Sequence, residues 1–157
     1  MRRRGLMRST FVTLAAGGAL FVTMASPAAA AEEVDKGVAS GEPSGGTCIV
    51  EVAGATGCFK PYGDVIYTRD NSYDAYSVYA KWQNQIRDSS GTWHAYRNGK
   101  CTNDRGQGDW AKCDKNFYEA STTNAYGGKG SRIKLTVCVA NLGDDHCATT
   151  PWLSNDS

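Results

Sequence analysis

The stretch RIKLTVCV at residues 132–139 decides the fold class. Ile133, Leu135, Val137 and Val139 fall on one face; Arg132, Lys134, Thr136 and Cys138 fall on the other. Apolar and polar residues alternating with period two over eight positions mark a β-strand with one face buried. The same pattern runs through residues 73–82. There Tyr76, Val78, Ala80 and Trp82 share a face, and Ala75, Ser77, Tyr79 and Lys81 share the other. A short helix over residues 79–87 is the weaker reading.

Further strand signals surround these two. Residues 48–52 and 64–68 are short and β-branched, with Ile49, Val50 and Val52 in the first and Val65 and Ile66 in the second. Residues 92–97 and 100–102 flank Asn98-Gly99, a dipeptide that favours a tight type I′ hairpin turn. Turn residues recur at 62–64, 70–72, 88–91 and 126–130. No window holds helical periodicity over three turns, and no repeat of stable period appears. The expected architecture is all-β: a small, disulfide-stapled antiparallel sandwich or barrel.

The six cysteines are Cys48, Cys58, Cys101, Cys113, Cys138 and Cys147. An even number in a short exported chain reads as a disulfide framework, with 15 formal pairings. Turn residues between near neighbours favour Cys48–Cys58, Cys101–Cys113 and Cys138–Cys147, each clipping the mouth of a hairpin. Each closure contributes roughly 3 kcal/mol in the chain-entropy picture. A zinc site would need closer Cys spacing than this.

The N-terminus reads as an export signal. Arg2, Arg3, Arg4 and Arg8 precede an apolar run from Phe11 to Met24, followed by Ser26-Pro27 and four alanines ending at Ala31. A positive start, a short apolar run and a small-residue cleavage site are its three parts. The run is shorter than the ~20 residues that span a bilayer. Arg3-Arg4 faintly resembles a twin-arginine signal, but the general export route fits as well. The expected organisation is a signal peptide at 1–31, a flexible Gly/Ser-rich leader at 32–46, one β-rich domain at 47–152 and a loose tail at 153–157. The expected product is secreted, extracellular and monomeric, with no membrane contact once the signal is gone.

Four of the 17 basic residues lie in that signal and none of the 16 acidic ones do, so the exported part has a net charge of about −3. That argues against a nucleic-acid partner, which would demand a basic surface.

Candidate chemistry is sparse. His94 and His146 are the two histidines. His94 sits in a strand pattern without a G-x-S-x-G nucleophile turn, so a packing or surface role outweighs catalysis. Asp144-Asp145-His146 reads as a turn beside Cys147 rather than a metal site. Asp70-Asn71-Ser72-Tyr73-Asp74 carries oxygen ligands at alternate positions but lacks the glycine and closing glutamate of a calcium loop. Glu51, Glu119 and Asp64 are the carboxylates a small hydrolase would have to use. No catalytic residue, metal ligand or cofactor is assigned.

Aromatic residues are the most suggestive feature, with four Trp and eight Tyr. Trp82 shares the apolar face with Val78 and belongs to the core. Trp110, just before Cys113, is expected to pack on that disulfide. Tyr62, Tyr73 and Tyr79 are the candidates for an exposed binding face.

Gly57-Cys58-Phe59-Lys60-Pro61-Tyr62-Gly63-Asp64, Gly99-Lys100-Cys101-Thr102-Asn103, Gly106, Gly108, Trp110, Cys113, Cys138, Cys147 and Trp152 together resemble a group of small secreted, cysteine-containing actinobacterial proteins. The resemblance covers residues 57–152. It implies export, disulfides and a β-domain, and it carries no activity or site residues. The leading expectation is a non-enzymatic extracellular domain that binds cell-wall or environmental polysaccharide, another surface, or a secreted protein. The alternatives are an inhibitor of a secreted protease or other hydrolase, a small carboxylate-dependent hydrolase, and a toxin or signalling peptide.

Overall fold

A computed structural model describes residues 31–50, 54–141 and 143–155. The expected signal peptide, apart from Ala31, lies outside the described residues. So does Glu51.

The alternating strand at 132–139 belongs to a longer one, β9 (Gly127–Val139). Ile133, Leu135, Val137 and Val139 are buried, as their shared face requires. β9 pairs antiparallel with β6 (Val78–Asp88), which buries Val78, Ala80 and Trp82 against the same layer. β6 pairs on its other side with β7 (Trp93–Asn103), and β7 carries β1 (Glu33–Lys36) in parallel at its edge. β10 (His146–Thr149) and β11 (Leu153–Ser154) complete this first sheet along β9. The second sheet runs in the order β2 (Val38–Ser40), β8 (Trp110–Asp114), β5 (Val65–Asp70), β4 (Ala55–Lys60) and β3 (Thr47–Val50). Phe59, Ile66 and Ala55 of that sheet meet Trp82, Leu135 and Val137 of the first, with Phe117 filling the space between. The fold is an all-β sandwich whose sheets do not close into a barrel. No helix forms among the described residues.

All three favoured cysteine pairings form. Cys48–Cys58 and Cys138–Cys147 join directly opposed residues of hairpin-paired strands, as the spacing predicted. Cys101–Cys113 does not clip a hairpin. Cys101 lies on β7 in one sheet and Cys113 on β8 in the other, so this buried bond ties the two layers through the core.

Four local expectations are corrected. Asn98-Gly99 is no turn: β7 runs straight through it. A Cβ at Gly99 would lie 2.5 Å from the Trp82 ring and 2.3 Å from the Glu33 carbonyl oxygen, so the glycine serves close approach rather than reversal. Residues 126–130 likewise are not a free turn, because β9 begins at Gly127. The expected leader is structured: it holds β1 and β2, one at the edge of each sheet. Gly37 crosses between them, donates its N–H to the Thr102 carbonyl at 2.8 Å and sits against Ala111 and the Cys101 sulfur. Its polar residues are held by charge rather than burial. Glu33 takes a two-pronged pairing from Arg97 at 2.6 and 2.9 Å, and the nearly buried Lys115 reaches both Glu33 and Asp35. The described part of the expected loose tail, residues 153–155, is also ordered, since Leu153 pairs with Ile133 and the buried Asn155 donates its N–H to the Ser131 carbonyl at 3.0 Å.

Gly99→Ala is expected to lower stability by about 1–3 kcal/mol through overpacking against Trp82 and displacement of β1. Urea denaturation checks it, and an unchanged midpoint would contradict this account of Gly99. Among the disulfides, replacing Cys101 and Cys113 together by Ala is expected to lower the melting temperature more than replacing either hairpin pair. The loops closed are similar in length, and the first bond alone also fills the core. Three parallel thermal melts test the ranking.

Candidate functional site

The loop after β5 and the loop between β7 and β8 face each other across a cleft of about 560 Å³. Its floor is Asp70, the last residue of β5, and Asn103, the last of β7. Both are buried. Asn103 anchors the second loop: its Nδ2 donates to the carbonyls of Thr68 at 3.0 Å and Asp109 at 2.9 Å, and its Oδ1 accepts from the Arg105 N–H at 3.1 Å. Asp70 shapes the first loop by accepting from the Ser72 N–H at 2.9 Å. Its carbonyl accepts from the Gly108 N–H at 2.7 Å, which joins the two loops. Burial raises the Asp70 carboxyl above its ordinary range; the Ser72 bond opposes this, and the nearby Asp74 charge adds to it.

The rim carries the aromatic group. Ala75 adopts a left-handed backbone (φ 61°), and Asp74 accepts from the Tyr76 N–H at 3.0 Å. This tight turn delays the start of β6 to Val78 and lifts Tyr73 away from the sheet. Tyr73 is 92% exposed. Asp104, on the opposite rim, pairs with Lys36 at 2.7 Å, and Gln107 donates to the Asn71 carbonyl at 3.4 Å. The cleft therefore offers carboxylates, amides and hydroxyls beside an exposed phenol ring. Among the described residues no group of three or more His, Cys, Asp or Glu is arranged to hold a metal ion.

The three tyrosines proposed from the sequence do not converge. Tyr73 stands at the cleft. Tyr62 is also well exposed, at 76%, but sits on the separate β4–β5 turn. Tyr79 is 3% exposed, so its expected exposure is corrected. It does lie on the outward face of β6, yet neighbouring side chains cover it. The Lys100 ammonium lies 3.8 Å from its ring centre, Lys81 flanks it, and its hydroxyl donates to Asp145. Trp110 is corrected as well. It has the opposite parity to Cys113 along β8 and points outward, edge-on to Tyr67 and under Arg69.

Two further candidates, His94 and Asp64, hold turns and loops together. His94 Nε2 meets Asp88 Oδ2 at 2.6 Å, but the Ser90 hydroxyl bonds to Asp88 and not to His94, so no hydroxyl–imidazole relay forms there. Asp88 instead organises the β6–β7 turn, and the Ser90 hydroxyl, then His94, hold its carboxyl below the usual range. Asp64 is buried in a left-handed conformation (φ 56°), and its Oδ2 accepts from the Phe117 N–H at 2.8 Å. Burial raises its carboxyl, with the Phe117 bond opposing and Glu119 adding charge. No family model matches the chain, and no match was found among curated proteins or solved structures.

Tyr79 generates a direct prediction. Burial, then the bond to Asp145, pushes its phenol up to about 12. A pKa raised in the folded state stabilises the protein below the ordinary tyrosine pKa of about 10 and loses that contribution as pH climbs through the raised value. Absorbance titration is expected to show one tyrosine that ionises well after the exposed ones, and Asp145→Asn is expected to shift it downward. Simultaneous ionisation of all eight would contradict this.

Proposed function

We propose that this chain is an exported, non-enzymatic binding domain that grips a glycan strand at the cleft beside Tyr73. The observation that carries the reading is an almost fully exposed tyrosine at the rim of a cleft lined by hydrogen-bonding groups. A sugar ring offers an apolar face of C–H bonds and a perimeter of hydroxyls. The phenol face of Tyr73 suits the first; Asp74, Asp104 and Gln107 suit the second. Both loops are tied at their bases by Asn103 and Asp70, so little ordering opposes binding.

The exported form is expected to co-sediment with at least one of peptidoglycan, chitin and cellulose. Tyr73→Ala should weaken that binding about tenfold or more with the melt unchanged, as for an aromatic anchor at an interface. Tyr62→Phe should leave it unaltered. No sedimentation with any of the three would overturn the reading.

A second reading, inhibition of a secreted hydrolase, draws on one feature. Residues 104–109 form an exposed loop held from below by Asn103 and flanked by the Cys101–Cys113 bond. A loop so anchored is preorganised for insertion into another protein's cleft.

A further inference from the structure

The outward face of the first sheet gathers positive charge, although the part of the chain beyond Ala31 carries a net charge of about −3. Lys81 and Arg87 project from β6, Lys100 from β7, and Arg132 and Lys134 from β9. Alternation fixes their side: each has parity opposite to the buried Val78, Trp82, Cys101, Ile133 and Leu135. None of the five takes part in the ion pairs formed among the described residues. Lys81 and Lys100 stand directly opposite each other on neighbouring strands, a like-charged pairing that disfavours the sheet. The carboxylates near this face are Glu32, beside Lys81, and Asp145, which the Tyr79 hydroxyl already engages.

At one end the cations are built into an aromatic frame. The Arg132 guanidinium lies 4.4 Å from the Trp93 ring centre and 4.6 Å from that of Trp152. Gln85 Oε1 fixes its orientation, accepting from Nε at 2.9 Å and from Nη2 at 2.6 Å. Lys134 lies 4.6 Å from the Trp152 ring and Arg87 5.6 Å from Trp93. An arginine held between two indoles is preorganised, and its charge is offset by π faces rather than cancelled by a carboxylate. Between this frame and the Lys81–Lys100 pair lies a shallow groove of about 350 Å³ bordered by Gln83, Asn98, Thr136 and Thr149. Lys81 and Arg87 are six residues apart on one strand, so the cations span roughly 20 Å.

We propose that this face binds an acidic polysaccharide, with the five cations meeting its carboxylate or sulfate groups and the amides and hydroxyls of the groove meeting its sugar hydroxyls. Charge complementarity carries the assignment: an extended row of unpaired cations fits an extended row of anions. The polar groove favours a glycan over a nucleic acid. Trp93 and Trp152 have their faces engaged by Arg132 and Lys134, so they do not offer the open stacking platform that single-stranded bases use. The site is separate from the Tyr73 cleft and stands or falls independently of it.

The test measures binding of the exported form to polygalacturonate, heparin, neutral dextran and single-stranded DNA by calorimetry, at about 50 mM and about 300 mM NaCl. Expected results are binding to one or both acidic glycans at low salt, marked weakening at high salt, and none to dextran. Replacing Lys81 and Lys134 together by Gln should weaken that binding about tenfold or more, with the melt preserved. Arg87→Gln, at an exposed position, serves as the second variant and should weaken it as well. Tyr73→Ala should leave it unchanged. The proposal is overturned if neither acidic glycan binds at low salt, if both variants bind as the parent does, or if DNA binds more tightly than either glycan.

Discussion

The Trp82 indole occupies the space that Gly99 leaves empty, and the rest of the sandwich is arranged around that contact. Phe117, in the segment that follows β8, meets the ring edge-on at 5.3 Å from between the layers. Lys115 and Arg97 lie over it at 4.9 and 5.7 Å, and the same two cations hold Glu33 of β1. β1 itself pairs with β7 opposite Gly99. One buried aromatic thus joins the central hairpin, the interlayer filling and the edge strand. A side chain at position 99 would separate all three.

The disulfides divide the remaining work. Cys48–Cys58 and Cys138–Cys147 each fasten a strand at the margin of its sheet, where backbone pairing is exposed to water on one side. Cys101–Cys113 crosses the core, and Gly37 rests against it where the chain passes from one sheet to the other. The segment from β1 to β2 laces the two layers outside this bond, using ionic contacts in place of apolar burial. Such pairs are modest individually, but here two converge on the almost enclosed ammonium of Lys115.

A rigid sandwich leaves two surfaces of contrasting chemistry. The loop end of β5 and β7 gathers acceptors beside an exposed tyrosine. The flat face of the first sheet gathers cations, amides and indoles. The second arises from the same alternation that builds the core, because residues that do not face inward on adjacent strands are forced to be neighbours outside; the first is made by the loops that leave the strand ends. Trp93 and Arg132 are therefore brought together by β7, β6 and β9 standing side by side, and Trp152 joins them because the C-terminal segment returns along β9.

Residues 132–139 and 78–82 determined on their own which side chains face the core, because a period of two is a local property of extended backbone and needs no knowledge of partners. The cysteine pairs were legible for a related reason: chain proximity makes the nearest pairing the easiest to close. The role of Gly99 was not legible. Asn-Gly carries a strong local preference for a turn, and only Trp82 and Glu33, distant in sequence, override it. The polar segment at 33–40 looked too hydrophilic to order, since nothing in its composition reveals that Arg97 and Lys115 wait across the sheet. Tyr73 was read correctly as exposed and Tyr79 was not. Parity along a strand tells which face a residue occupies, whereas cover by Lys100 and Asp145 depends on strand order. The inward face of each strand is written in single segments; strand neighbours, interlayer bonds and the two outer surfaces come from contacts between segments, and those only the tertiary structure decided.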